Sequence, residues 1–171
     1  PRGNVAEKHH TLMPPGPAPR AVIGGAGGQN GRTEYKGGLG EEGITALHEF
    51  LGQGGTPVTL GAASDLAIER FGVPLKNLKS GLTRDQHFAP GTILKAEVDT
   101  QPPTGYGVAA HTYGFYINSP FFQLTEGFNS QRSSVVARYP NTGVIASGWL
   151  KGEELMAGRA AVIEVDLNPG K

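Results

Sequence analysis

The chain has 171 residues and a mass of 17.9 kDa, enough for one domain with its own core. Fifteen Lys+Arg balance fifteen Asp+Glu, so no long-range field recruits nucleic acid or an anionic membrane. Cysteine is absent, which excludes disulfides, thiolate metal sites and every cysteine-nucleophile mechanism.

Residues 1–40 hold ten Gly and five Pro, with Pro14, Pro15, Pro17 and Pro19 grouped around Gly16. Such a stretch cannot bury enough surface to offset its ordering entropy, so residues 1–34 read as a Gly/Pro-rich arm or linker and 35–171 as the folded domain. The chain begins at Pro1 with no signal-peptide pattern, which reads as a mature or trimmed product, or as an artificial start. No apolar run approaches the roughly 18 residues of a membrane-spanning helix. Ala21-Val22-Ile23 reads as a short strand. Gly24 to Gly31 reads as a loop, and a phosphate cradle lacks both the G-x-x-x-x-G-K-[ST] pattern and a following apolar helix.

The first strong element begins near Gly40. Glu41 and Glu42 suit the positive end of a helix, Ile44, Leu47 and Leu51 recur at helical spacing, and Gly52, Gly54 and Gly55 stop it. Thr56 to Leu60 reads as a short buried strand, with Pro57 near its start. Gly61-Ala62-Ala63 turns a tight corner. Ser64 is expected to cap the next helix, with Asp65 in its first turn, Leu66, Ala67, Ile68 and Phe71 on its apolar face, and Gly72 closing it. Thr92 to Asp99 alternates as a strand, with Leu94, Ala96 and Val98 on one face. Ser134–Tyr139 and Ala160–Leu167 are two more strands. Gln101 to Phe128, rich in Gly, Pro and aromatics, reads as loops with short extended pieces. The helix–strand–corner–helix order predicts an α/β fold with the corner at the carboxyl end of a parallel strand.

That corner is where α/β hydrolases and amidotransferases mount a nucleophile. Here it reads Gly61-Ala62-Ala63, leaving Ser64 as the nearby candidate, whose cheaper explanation is helix capping. Among the histidines, His9-His10 sits on an arm too loosely held for a preformed metal site, His48 reads as a partly exposed helix residue, and His111 carries no motif. His87, in the loop Arg84-Asp85-Gln86-His87-Phe88, is the one placed to reach the corner cleft, although a structural hydrogen-bonding role competes with acid–base work. Ser64, Asp65 and His87 are therefore the candidate cleft residues. The pairs Glu41-Glu42 and Glu153-Glu154 read as helix-start charges and solvated faces. No group supplies nucleophile, base and orienting residue together, so no catalytic residue is assigned.

Five blocks in order carry a resemblance: Gly37-Gly38-Leu39-Gly40-Glu41-Glu42-Gly43-Ile44 with Phe50 to Thr56, Ala63-Ser64-Asp65-Leu66-Ala67-Ile68-Glu69, Pro90-Gly91-Thr92-Ile93-Leu94, Ser119-Pro120-Phe121-Phe122, and Ser147-Gly148-Trp149-Leu150-Lys151-Gly152-Glu153. Over residues 35–167 the chain resembles the C-terminal domain of large bacterial zinc carboxypeptidases of the carboxypeptidase A type, a domain similar to class I glutamine amidotransferases. The resemblance implies a flavodoxin-like parallel sheet flanked by helices, here incomplete at both ends, because family strands precede the first Gly-rich block and follow the region of Ala160–Leu167. It also implies a secreted or periplasmic protein. Glutaminase chemistry needs a cysteine at the elbow and is excluded. The peptidase centre needs a His-x-x-Glu pair that occurs nowhere in the 171 residues, so zinc is expected only on a separate peptidase domain and no cofactor in this chain.

Three functions follow. The first is a non-catalytic accessory domain for substrate positioning, packing or oligomerisation, partnered by the peptidase domain of a longer polypeptide or by other copies of itself. The second is a stand-alone binding or self-assembly protein that uses the Gly-rich loop and the aromatic stretch Tyr106–Phe128, which holds seven of the thirteen aromatics, as a contact surface. The third and weakest is a Ser64/His87 hydrolase.

Overall fold

A computed structural model describes residues 20–25 and 38–167. The stretch 1–19 with His9 and His10, the Gly-rich loop from Ala26, and the last four residues lie outside the described residues. Strand β1 (Arg20–Gly25), helix α1 (Gly40–Gly52), strand β2 (Thr56–Gly61) and helix α2 (Ala63–Phe71) follow one another as a βαβα unit. β1 and β2 run parallel, in unbroken register from Arg20 opposite Thr56 to Gly25 opposite Gly61. Both helices lie against β2.

α1 forms where its periodicity predicts, with Glu41 and Glu42 in the first turn, Ile44 buried, and Leu47 and Leu51 partly buried on the same side. An exposed ion pair between Glu41 and Arg70 links the two helices. α2 ends at Gly72, whose left-handed φ of 65° lets its N–H close on the Ala67 carbonyl. β2 departs from its expected burial. Val58 and Leu60 point to an open face and are 36% and 54% exposed.

The rest of the chain builds a second sheet from β3 (Leu75–Asn77), β4 (Thr92–Val98), β5 (His111–Tyr116), β6 (Phe122–Leu124), β7 (Ser134–Arg138), β8 (Ile145–Ser147) and β9 (Ala160–Glu164), with a short helix α3 (Glu153–Met156) before the last strand. Its order is β3-β6-β9-β7-β4-β5, with β8 also paired to β4. Every pairing in it is antiparallel.

The protein is thus α/β, but the expected flavodoxin-like parallel sheet is corrected: among the described residues parallel pairing is confined to β1 and β2, and the large sheet is antiparallel. The physical reason lies in the connections. Adjacent parallel strands need a crossover of about a dozen residues or more, usually a helix. After α2 the described helical pieces are the four-residue α3 and a single 3-10 turn at Pro103–Gly105, so the strands fold back on one another instead.

The core sits on one face of this sheet. Leu94 from β4, Tyr116 from β5, Phe121 beside β6, Tyr139 after β7, Val144 before β8 and Met156 from α3 meet there with Ala89, and Leu78, Leu82, Leu150 and Leu155 pack around them. β7 slips register between Val135 and Ala137, so the adjacent residues Val136 and Ala137 are both buried. Among the described residues no helix is long and apolar enough to cross a membrane.

Candidate functional site

The corner after β2 turns at Gly61, which takes a left-handed φ of 58°. Because the chain reverses there, the helix begins at Ala63 with Ala62 as N-cap, and no side chain caps it. This corrects the capping role expected of Ser64. It is the second residue of the helix and half-buried, and its hydroxyl closes no cap. Asp65 is tied down by its surroundings. Its Oδ1 accepts a hydrogen bond of 2.7 Å from Asn77 Nδ2, and Asn77 Oδ1 in turn accepts the Lys79 backbone N–H at 3.0 Å. The Asp65 carboxylate thus fastens α2 to β3.

His87 is elsewhere. It is 3% exposed and inserted into the core of the antiparallel sheet, its ring 5.2 Å from Phe121 and 6.0 Å from Tyr116 between centroids. Neither ring nitrogen has a hydrogen-bond partner, so the structural hydrogen-bonding role expected for it is not formed by the side chain. Burial holds its pKa below the ordinary histidine value, and the Lys79 ammonium adds to this while Glu154 opposes it. No hydrogen bond or ring contact joins His87 to Ser64 or Asp65. The geometry assembles no Ser64/His87 pair. Glu153 and Glu154 do open a helix as expected, and Glu153 Oε1 accepts the Val144 N–H at 2.7 Å. His48 is exposed on α1 and stacks edge-on against Phe71.

Among the described residues no group of three or more His, Asp and Glu side chains is placed to hold a metal ion. A groove of about 310 Å³ lies between β4, β5 and the turn after β7, lined by Lys95, Glu97, His111, Tyr113, Pro140 and Gly143. It touches none of Ser64, Asp65 and His87.

This groove borders the most distinctive surface of the molecule. β5 is a six-residue strand at the edge of the sheet, in the region expected to be mainly loop. The Lys95 N–H bonds to the Val144 carbonyl and the Val98 N–H to the Ala110 carbonyl, so Lys95 faces away from β5 and Val98 toward it. With Lys95 opposite Tyr113, antiparallel alternation turns the backbone polar groups of His111, Tyr113 and Phe115 toward the open edge. Tyr113 and Phe115 are each 68% exposed, and Ile117 just beyond the strand is 58% exposed. Alternate residues Thr112, Gly114 and Tyr116 face the core side.

The sequence flagged the aromatics but not the strand. Its period-2 signal is blurred because Tyr116 is as aromatic as the outward Tyr113 and Phe115, and Gly114 gives no signal at all. Of the aromatic stretch, Tyr116, Phe121 and Phe122 serve the core, while Tyr106, Tyr113 and Phe115 stand in solvent. Comparison of the chain with protein-family models, with curated proteins and with solved structures yields no match.

Proposed function

We propose that this chain is a non-catalytic accessory domain that works by packing, resembling that of a secreted or periplasmic zinc carboxypeptidase. The observation that carries the reading is the open edge of β5, with its outward backbone groups and the exposed Tyr113, Phe115 and Ile117. A soluble domain seldom leaves such a strand unprotected, because unpaired N–H and C=O groups beside apolar side chains template further pairing. The exposed Val58 and Leu60 on β2 give the parallel unit a second uncovered apolar face. Both faces suit contact with the peptidase domain of a longer polypeptide, on which any zinc would reside, and such contact can position substrate or hold an oligomer together. The Ala62-Ala63 corner, the engagement of Asp65 by Asn77 and the separate burial of His87 support a role without chemistry of its own.

A second reading, self-assembly of the chain alone, is favoured by the composition of β5. His111-Thr112-Tyr113-Gly114-Phe115-Tyr116 has no Lys or Pro and pairs with β4 without a bulge, so it lacks the usual devices that block edge-to-edge pairing. The deciding experiment is the intact mass and zinc content of the polypeptide from its native source. A much larger zinc-bearing chain is the expected result. A zinc-free species of 17.9 kDa overturns the accessory reading, and light scattering on that species then shows whether it assembles with itself.

A further inference from the structure

His87 contributes the only buried side-chain nitrogen or oxygen atoms without a partner among the described residues. It sits in the segment 78–91 that joins β3 to β4, and that segment is held down at both ends. The Leu78 N–H donates to the Phe121 carbonyl at 3.0 Å. Phe88 and Lys151 exchange two backbone bonds of 3.2 and 2.9 Å, and Gly152 lies flat against the Gln86 carbonyl, where a side chain has no room. Between these ties the imidazole plugs the core against Tyr116 and Phe121.

The groups that face the ring are few. Lys79, on its own segment, disfavours a second positive charge, while Glu154 on α3 favours one. Tyr116 of β5, and Tyr139 packed edge-on behind it, remain neutral phenols, both pushed up by burial, Tyr139 to about 12. Phe121 has no charge to offer. Arg84 and Asp85, the other charged groups of the segment, are engaged outside, over the Phe88 ring and beside Lys151, and Glu153 is taken by the Val144 N–H.

We infer that the segment 78–91 is an acid-released latch, in which protonation of His87 expels its side chain from the aromatic cage and frees the segment from the α3 turn. A neutral imidazole tolerates this cage, but an imidazolium there has no protein acceptor for either N–H. The direction follows from linkage. The closed state binds the proton less readily than the released one, so closure is fully favoured above the ordinary histidine range. It weakens as pH falls through that range and levels off below the lowered value of the closed state. Release uncovers Tyr116 and Phe121, which are now buried. This inference does not depend on the accessory reading above.

The test is hydrogen exchange read by mass spectrometry on the full 171-residue chain, corrected for intrinsic rates, at about pH 7.5 and about pH 5. Protection of 78–91 is expected to fall at least about tenfold at the lower pH while β4 and β9 keep theirs, and His87→Phe is expected to abolish the fall. An equal fall in His87→Phe, or none in the unmodified chain, overturns the latch. Should His87→Phe fail to fold, the histidine ring signals of the unmodified chain decide by NMR. The His87 titration must track the loss of protection, and a His87 that protonates with the segment still protected overturns the proposal.

Discussion

Among the described side chains of α1, β2 and α2, the buried apolar ones are Ile44 and Ala63, and Val58 and Leu60 of β2 face solvent. The antiparallel sheet instead encloses Phe121, Leu94, Met156 and Val144 at 1% exposure or less. The region with the more recognisable sequence pattern is therefore the one with fewer buried apolar side chains among those described. Clear periodicity marks a helix or strand as an element, but stability comes from what that element buries, and in this molecule most of the burial is elsewhere. The parallel unit is fastened to the antiparallel sheet through the bond between Asp65 and Asn77 of β3.

The largest test of this contrast is a pair of truncations. Phe121→Ala removes a fully buried ring and is expected to cost about 3–5 kcal/mol in urea unfolding, whereas Leu60→Ala is expected to stay within about 0.5 kcal/mol. Equal costs would break the comparison. Next comes Gly152→Ala. Its φ of 77° disfavours a side chain, and the added Cβ would press on the Gln86 carbonyl, so a loss of about 2–3 kcal/mol is expected, with exchange protection lost first around Gln86 to Phe88. Asn77→Ala cuts the fastening between the regions. It is expected to cost about 1–2 kcal/mol and to raise exchange in α2 and β2 while the antiparallel strands remain protected. A uniform rise across both sheets would show that the regions unfold as one. The smallest effect is expected from Glu41→Gln. Its partner Arg70 holds the carboxyl below the usual range, but the pair lies at the surface where solvent screens it, so the unfolding midpoint should not move.

Much of the element order was legible in the sequence. Glu41-Glu42 with Ile44, Leu47 and Leu51 marked α1, and Gly72 marked the end of α2, because capping and periodicity are local signals. Direction of pairing was not legible. The apolar alternation of Thr92–Asp99 suits a parallel or an antiparallel neighbour equally, and the expected resemblance to a parallel-sheet domain favoured the wrong one for this sheet. The candidate site was legible only as residue types. His87 was singled out as the histidine placed to reach the corner cleft, but it is buried against Phe121 and Tyr116, more than 25 residues downstream, and no local pattern encodes that contact. Asp65 was placed in the right turn, yet its bond to Asn77 depends on how α2 meets β3.

β9 is the last of the described strands in the chain and lies near the middle of its sheet, between β6 and β7. On a ribosome, all of β3 to β8 are synthesised before Ala160–Glu164. Until then the strands form two separate groups with no shared hydrogen bonds, each showing an open edge where β9 will insert. Closing the sheet is thus a late step that joins residues far apart in sequence, and a released chain truncated short of residue 160 would present those edges to its neighbours.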